Sequence, residues 1–215
     1  MKKEAVSLQH IKKANDWDTV IFLYKSALKE MRTKIDILND EFQHFHRYNP
    51  IEHIKSRIKT PESIVKKLKR CGHESSVENM VRYINDIAGI RITCSFTSDI
   101  YRLSEMLTSR DDITILSVKD YIRHPKESGY QSYHLLVSVP IFSSDEIVNT
   151  KVEIQIRTVA QDFWATLEHK MYYKFEGNAP SHISKELREC AEIVSQLDQK
   201  MLQLNTEIQS YGTTS

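Results

Sequence analysis

Along the chain, apolar positions fall into two long helical stripes that bracket a shorter, mixed centre. From residue 17 to 46, Ile21, Tyr24, Leu28, Met31, Ile35, Leu38, Phe42 and Phe45 recur at steps of three and four, the spacing of a helix with one packed face. Asn49-Pro50 closes it, because the residue before a proline is pushed out of the helical region. A second stripe, Leu187, Cys190, Val194, Leu197, Met201, Leu204 and Ile208, predicts a helix over about 182–209. Each stripe serves either as cover for the chain's own core or as a subunit interface, and the spacing allows both.

Between the stripes the period changes. Pro61 suits the first turn of a short helix over 61–71. Ile90, Ile92, Cys94 and Phe96 alternate with Arg91, Thr93 and Ser95, which is strand periodicity. A helix over 99–109 and a strand over 113–119 are expected next. Tyr133, Leu135, Val137 and Val139 mark another strand, closed by Pro140. Residues 151–157 are the clearest strand of all. Thr158 and Gln161 then form a capping-box pattern that opens a helix through about Lys174, ended by Gly177 and Pro180. The fold class is α/β (α+β): a mixed sheet of about five strands flanked by helices, within one domain spanning 1–215 whose core covers about 49–180.

Composition narrows the function classes. Lys plus Arg number 30 and Asp plus Glu 29, a net charge of +1. A dedicated nucleic-acid binder usually carries a basic excess. No apolar run approaches the roughly 20 residues of a membrane helix. The opening Met1-Lys2-Lys3-Glu4 leads into polar sequence without the apolar stretch of a secretory signal. A cytoplasmic location away from membranes is therefore expected. Cys71, Cys94 and Cys190 are too scattered for a disulfide framework or a zinc ribbon. The five glycines, Gly72, Gly89, Gly129, Gly177 and Gly212, form neither of the glycine loops that cradle phosphates. If the chain binds nucleotides, side chains must hold the phosphates.

Four constellations are candidates for chemistry. In Lys151-Val-Glu-Ile-Gln-Ile-Arg157, the charged and polar residues Lys151, Glu153, Gln155 and Arg157 share one strand face. That face is either a solvated exterior or the lining of a polar cleft. In Asn85-Asp86-Ile-Ala-Gly-Ile-Arg91, Asp86 precedes a buried strand. It is either a turn residue or a carboxylate presented at a strand end, as magnesium sites use. The segment Lys55–Arg70 holds seven cations against one acid, Glu62. Within it Ser63, Lys67 and Arg70 share a helix face. This is a solvated face, an RNA contact, or a grip for a polyphosphate. Lastly, a turn at Ser128-Gly129 presents Tyr130, with His134 beyond. That tyrosine either packs within a hairpin or stacks on a base. His44, His46 and His53 lack zinc-site spacing.

In order and spacing, Arg57-Ile-Lys59 with Ser63, Asp86-Ile-Ala-Gly-Ile-Arg91, His124-Pro-Lys-Glu-Ser-Gly-Tyr130, Glu153-Ile-Gln-Ile-Arg-Thr158 and Phe163-Trp-Ala165 resemble the synthetase domain of the RelA/SpoT homologue superfamily. They are most similar to its small, single-domain alarmone synthetases. The likeness runs from about Asn49 to Pro180. It implies a nucleotidyltransferase-like fold and transfer of pyrophosphate from ATP to the ribose 3′-hydroxyl of GDP or GTP, giving (p)ppGpp and AMP. It implies that Asp86 and Glu153 hold Mg2+, with Glu153 also drawing the proton from the attacking hydroxyl. Arg57 and Arg91 would enclose adenine, and Lys59, Ser63, Lys67 and Arg70 would hold the ATP phosphates. Tyr130 would stack on guanine, with Lys126, His134, Gln155 and Asp162 around the acceptor. A homotetramer is implied as well. Gln131 and Asp162 depart from the family pattern, both on the acceptor side. The chain has no His-Asp dipeptide of the kind the family's hydrolase domains use, so synthesis without hydrolysis is expected. A non-catalytic regulator of the same fold, binding nucleotides or RNA, is the alternative. The strand parity demands one thing of the structure: Asp86 must lie before the strand proper if it and Arg91 are to face one cleft.

Overall fold

The computed structural model describes residues 17–174 and 180–212. In chain order the elements are α1 (Trp17–Phe45), β1 (Ile51–Ile58), α2 (Pro61–Arg70), α3 (Val77–Tyr83), β2 (Ala88–Cys94), α4 (Thr97–Thr108), β3 (Thr114–Asp120), β4 (Tyr133–Phe142), β5 (Ile147–Thr158), α5 (Val159–Lys174) and α6 (Ser181–Gly212). The strands form one sheet in the order β1-β2-β5-β4-β3. Only β2 and β5 run parallel; the other neighbours are antiparallel.

One face of the sheet is apolar. Ile90, Ile92, Leu135, Val137, Val152, Ile154 and Ile156 are buried there with side chains of α1, α2, α3 and α4. The stripe on α1 does what its spacing predicts. Val20, Tyr24, Ala27, Leu28, Met31, Ile35 and Phe42 are buried, and the helix lies across β1, β2, β4 and β5. Each large apolar side chain so buried contributes about 1.5–3 kcal/mol. α1 is thus cover for this chain's own core, with Phe45 left exposed at its end.

α6 behaves differently. Its first half packs, with Leu187 and Ala191 closing a small second core with Trp164 and Ala165 of α5. Trp164 Nε1 donates to the Leu187 carbonyl at 2.9 Å. Further along, Leu197, Met201, Leu204 and Ile208 are exposed. They continue an apolar groove of about 680 Å³ lined by Phe96, Val159, Phe163, Val194, Leu197 and Met201, among others.

Several boundaries differ from the sequence reading. The polar stretch before Pro61 contains an eight-residue strand, β1, with an irregular register at Ile51/His53. It is an edge strand, so most of its side chains meet water and no alternation betrays it. β2 ends at Cys94; Phe96 instead sits just ahead of α4. Pro140 does not close β4, which runs on to Phe142. Beyond Ser138 it has lost β3 as a neighbour and become an edge, where proline is tolerated. β5 starts at Ile147 rather than 151, and α3, of seven residues, has no counterpart among the elements expected from the sequence. The capping box is present: Thr158 Oγ1 accepts from Gln161 N, and Gln161 Oε1 from Thr158 N, both at 3.1 Å. Gly177 lies outside the described residues.

Candidate functional site

The opposite face of the sheet carries the polar residues, and its register lines them up. One row crosses all five strands: Lys55, Arg91, Gln155, His134 and Lys119. The next row places Arg57 and Glu153 on either side of Gly89. A Cβ on Gly89 would meet only the Arg57 side chain, at 3.9 Å. The floor beside Glu153 is therefore open. Lys55, Arg57, Asp86, Arg91, Glu153 and Gln155 all line the resulting cleft of about 160 Å³.

Asp86 meets the parity condition. It lies two residues before β2 begins at Ala88, so it enters the cleft from the strand end rather than from the ladder. Lys59 Nζ bonds its Oδ2 at 2.7 Å and Lys67 Nζ its Oδ1 at 2.8 Å. Burial pushes the Asp86 carboxyl up, but the two ammonium groups outweigh this and hold it below its ordinary value. Behind it, the Asn85 side chain accepts a hydrogen bond from Lys151 Nζ at 2.7 Å. Lys151 is only 6% exposed, and burial lowers its ammonium to about 8.

Glu153 is also held ionised, by different means. Burial raises its carboxyl, and the nearby Asp86 charge adds to that. The facing His134 ring and the Gln155 amide bring it below its ordinary value on balance. Gln155 Nε2 donates to Glu153 Oε2 at 2.8 Å. His134 Nδ1 stands 3.7 Å from Oε1, a contact longer than a hydrogen bond.

Next to His134 the turn at Ser128-Gly129 is present, with Gly129 at φ +88°. Tyr130 Oη lies 3.0 Å from His134 Nε2. Lys126 Nζ sits 4.8 Å from the ring centroids of both Tyr121 and Tyr130. Asp162 accepts from Arg157 at 3.3 Å and pairs with Arg91 at 3.2 Å, so this residue ties the two sides together. Gln131 accepts from Gln161 at 3.3 Å.

The structure therefore gathers Arg57, Arg91, Asp86, Glu153 and Gln155 in one cleft. Lys59 and Lys67 join through Asp86, His134 through Glu153, and Tyr130 and Lys126 through His134 and the aromatic contacts. Ser63 and Arg70 do not line it. Ser63 Oγ accepts from Thr60, the residue capping α2, and Arg70 ends that helix. Two residues of the polar strand face had been given no role, Lys151 and Arg157; both are buried within these networks. Their sequence signal was the alternation itself. Tyr121 carried no signal, since only the fold brings it to His134.

The donor set suits a hard divalent cation. Two ionised carboxylates share the cleft, and magnesium is commonly held by one or two carboxylates with substrate phosphates completing its shell. Each Asp86 oxygen accepts from one lysine yet keeps further lone pairs. Among the described residues no group of three or more His, Cys, Asp or Glu could hold a metal without substrate. No described helix is long and apolar enough to cross a membrane.

The profile of the region found in RelA / SpoT proteins matches residues 56–178. Over 193 residues the chain is 48% identical to the GTP pyrophosphokinase YwaC of Bacillus subtilis, across 90% of this chain and 92% of that one. It is 37% identical over 193 residues to the GTP pyrophosphokinase YjbM of the same organism, across 90% of each. Its fold matches the crystal structure of small alarmone synthetase 1 from Bacillus subtilis bound to its product pppGpp. The TM-score is 0.84 at 37% identity, over 90% of this chain and 98% of that one. Small alarmone synthetase 2 from Bacillus subtilis gives 0.81 at 46%, over 89% and 99%.

Proposed function

The chain belongs to the RelA/SpoT family, and from that premise we propose that it is a GTP pyrophosphokinase, transferring pyrophosphate from ATP to the ribose 3′-hydroxyl of GDP or GTP and releasing AMP. The observation that carries this reading is the cleft itself. Two ionised carboxylates, Asp86 and Glu153, line one cleft together with Arg57, Arg91 and Lys55.

Transfer of a phosphoryl-type group asks a protein for alignment and charge neutralisation more than for covalent help. Arg57 and Arg91 border the cleft from neighbouring strands, and planar guanidinium groups suit the adenine ring. Lys59 and Lys67, with Ser63 and Arg70 on the same helix side, would hold the ATP phosphates. Tyr130 would stack on guanine, with Lys126, His134, Gln155 and Asp162 around the acceptor nucleotide. Glu153, kept ionised beside the Gln155 amide and the His134 ring, is the group suited to take the proton of the 3′-hydroxyl. Mg2+, held by Asp86 and Glu153, would supply charge neutralisation on the polyphosphate when bound.

The proposal extends to self-association. The bare second half of α6 continues an apolar groove, and a second copy of the chain would cover it, as the implied tetramer requires. It also carries a cytoplasmic location, where ATP and guanine nucleotides are available.

Product chromatography with ATP plus GDP, GTP or GMP, with and without Mg2+, tests the reaction. AMP and a 3′-pyrophosphorylated guanine nucleotide are expected only with the metal. A folded protein that yields neither product, yet binds RNA in a salt-sensitive manner, would replace the reading with that of a non-catalytic binder.

A further inference from the structure

Arg157 is 3% exposed, and four side chains accept hydrogen bonds from it. Nε donates to Ser132 Oγ at 3.3 Å, and Nη1 to Asp162 Oδ1 at 3.3 Å. Nη2 donates twice, to Gln155 Oε1 at 2.8 Å and to the Tyr130 hydroxyl at 2.5 Å. The guanidinium carbon lies 4.9 Å from the Tyr130 ring centroid. Arg157 makes no hydrogen bond to Glu153.

A guanidinium has donors and no acceptor, so these contacts have a direction. Nη2 carries two hydrogens and directs one into each of two arms. In the first arm, Gln155 Oε1 must accept. Its NH2 end is then the one turned to Glu153 Oε2, 2.8 Å away. In the second arm, the Tyr130 oxygen accepts from Arg157. Its single proton is left for His134 Nε2 at 3.0 Å. A neutral His134 that accepts at Nε2 carries its hydrogen on Nδ1, the nitrogen that faces Glu153 Oε1 at 3.7 Å. The two arms close a ring, Arg157–Gln155–Glu153–His134–Tyr130, in which both oxygens of the carboxylate face N–H groups.

We propose that Arg157 is a positioning residue that sets the polarity of this ring, selecting the Gln155 amide orientation and the Nδ1–H tautomer of His134 and so holding the Glu153 carboxylate in a single orientation. The kinetic part rests on the pyrophosphokinase reading; the structural part does not. A carboxylate bonded at Oε2 by the Gln155 amide and faced at Oε1 by the His134 ring keeps its remaining lone pairs toward the cleft, where the ribose hydroxyl would lie. Loss of the guanidinium leaves both arms free to reverse. Tyr130 would then accept from His134 Nε2–H, and His134 Nδ1 would turn a lone pair toward Glu153.

The experiment is nitrogen NMR on 15N-histidine-labelled protein without nucleotides, at a pH well above the ordinary histidine pKa. In the wild type, His134 is expected as the Nδ1–H form. In Arg157→Gln and in Tyr130→Phe that preference is lost, because each interrupts the directed arm at a different link. Arg157→Gln is also expected to lower kcat by about 10- to 100-fold while the KM for ATP stays within about twofold. A role confined to packing would lower the melting temperature without moving the tautomer. The proposal is overturned by an Nε2–H form in the wild type, or by the Nδ1–H form persisting in both variants. If Arg157→Gln does not fold, the wild-type spectrum and Tyr130→Phe, which leaves the guanidinium in place, still decide. Absence of product from the wild type would remove the enzymatic reading and leave the spectra to be judged alone.

Discussion

The two carboxylates of the cleft are kept ionised in opposite ways. Asp86 sits among cations, with an ammonium group on each oxygen. Glu153 sits between side chains of the sheet, with the Gln155 amide donating to one oxygen and the His134 ring facing the other. Both ends of the comparison give a depressed pKa, but the consequences differ. Lysine side chains are long and flexible point charges. On the proposed reading they would leave Asp86 for the ATP polyphosphate, and Mg2+ would take their place. The Gln155 amide and the His134 ring are built into neighbouring strands and flank Glu153 from fixed positions. The Asp86 side is thus arranged to exchange partners and the Glu153 side to hold one geometry.

The strongest test of that contrast is Glu153→Gln. General-base assistance is worth about 10²- to 10⁴-fold, and kcat should fall within that range with the melting temperature nearly unchanged. Turnover near wild type would remove Glu153 as the base. Asp86→Asn should raise the Mg2+ concentration for half-maximal activity by about 10- to 100-fold, in the range seen for supporting residues of metal sites. A weaker KM for ATP with an unaltered Mg2+ requirement would reduce Asp86 to a holder of Lys59 and Lys67.

Lys151 sharpens the comparison from behind Asp86. Its buried ammonium titrates near 8 in the folded protein, against about 10.4 when unfolded. Between those values the unfolded chain keeps a proton the folded chain has shed, so stability rises with pH across the window. Lys151→Met should abolish that rise, on the order of 3 kcal/mol, as read by denaturant unfolding from neutral to alkaline pH. An unchanged slope would mean the amine is solvated. The smallest expected effect lies on the Glu153 side. A Cβ on Gly129 would stand 2.5 Å from Ala191 Cβ, at a φ that L-residues disfavour. Gly129→Ala should cost about 1–2 kcal/mol. It should also raise the KM for the guanine nucleotide through Tyr130, leaving the KM for ATP within about twofold. Two-substrate kinetics and thermal unfolding check both parts.

How legible each region was follows from where its signal lay. β5 and β2 are central strands whose apolar face alternates strictly, so both were readable, and parity located Asp86 ahead of β2. The stripe on α1 predicted its buried face for the same reason. β1 was invisible because an edge strand on a wet face has no need to alternate. α3 has only seven residues, fewer than the two or more turns over which a helical period becomes visible. In the site, side chains that contact substrate by family likeness stood out as motif letters. Arg157, though a motif letter, and Lys151 carried no sign of a role, because their contacts are to other side chains. A linear pattern names a residue's face and not the partner waiting there.

The row Lys55–Arg91–Gln155–His134–Lys119 takes one member from each strand. Side chains alternate with a period of two, so a slip of one residue in any strand swings its member through the sheet into the apolar side. In β1, β2 or β5 such a slip would turn Lys55, Arg91 or Gln155 away and strip the cleft of that group. The row therefore works as a checksum on the pairing of those three strands, and an intact cleft becomes a report that each has found its place.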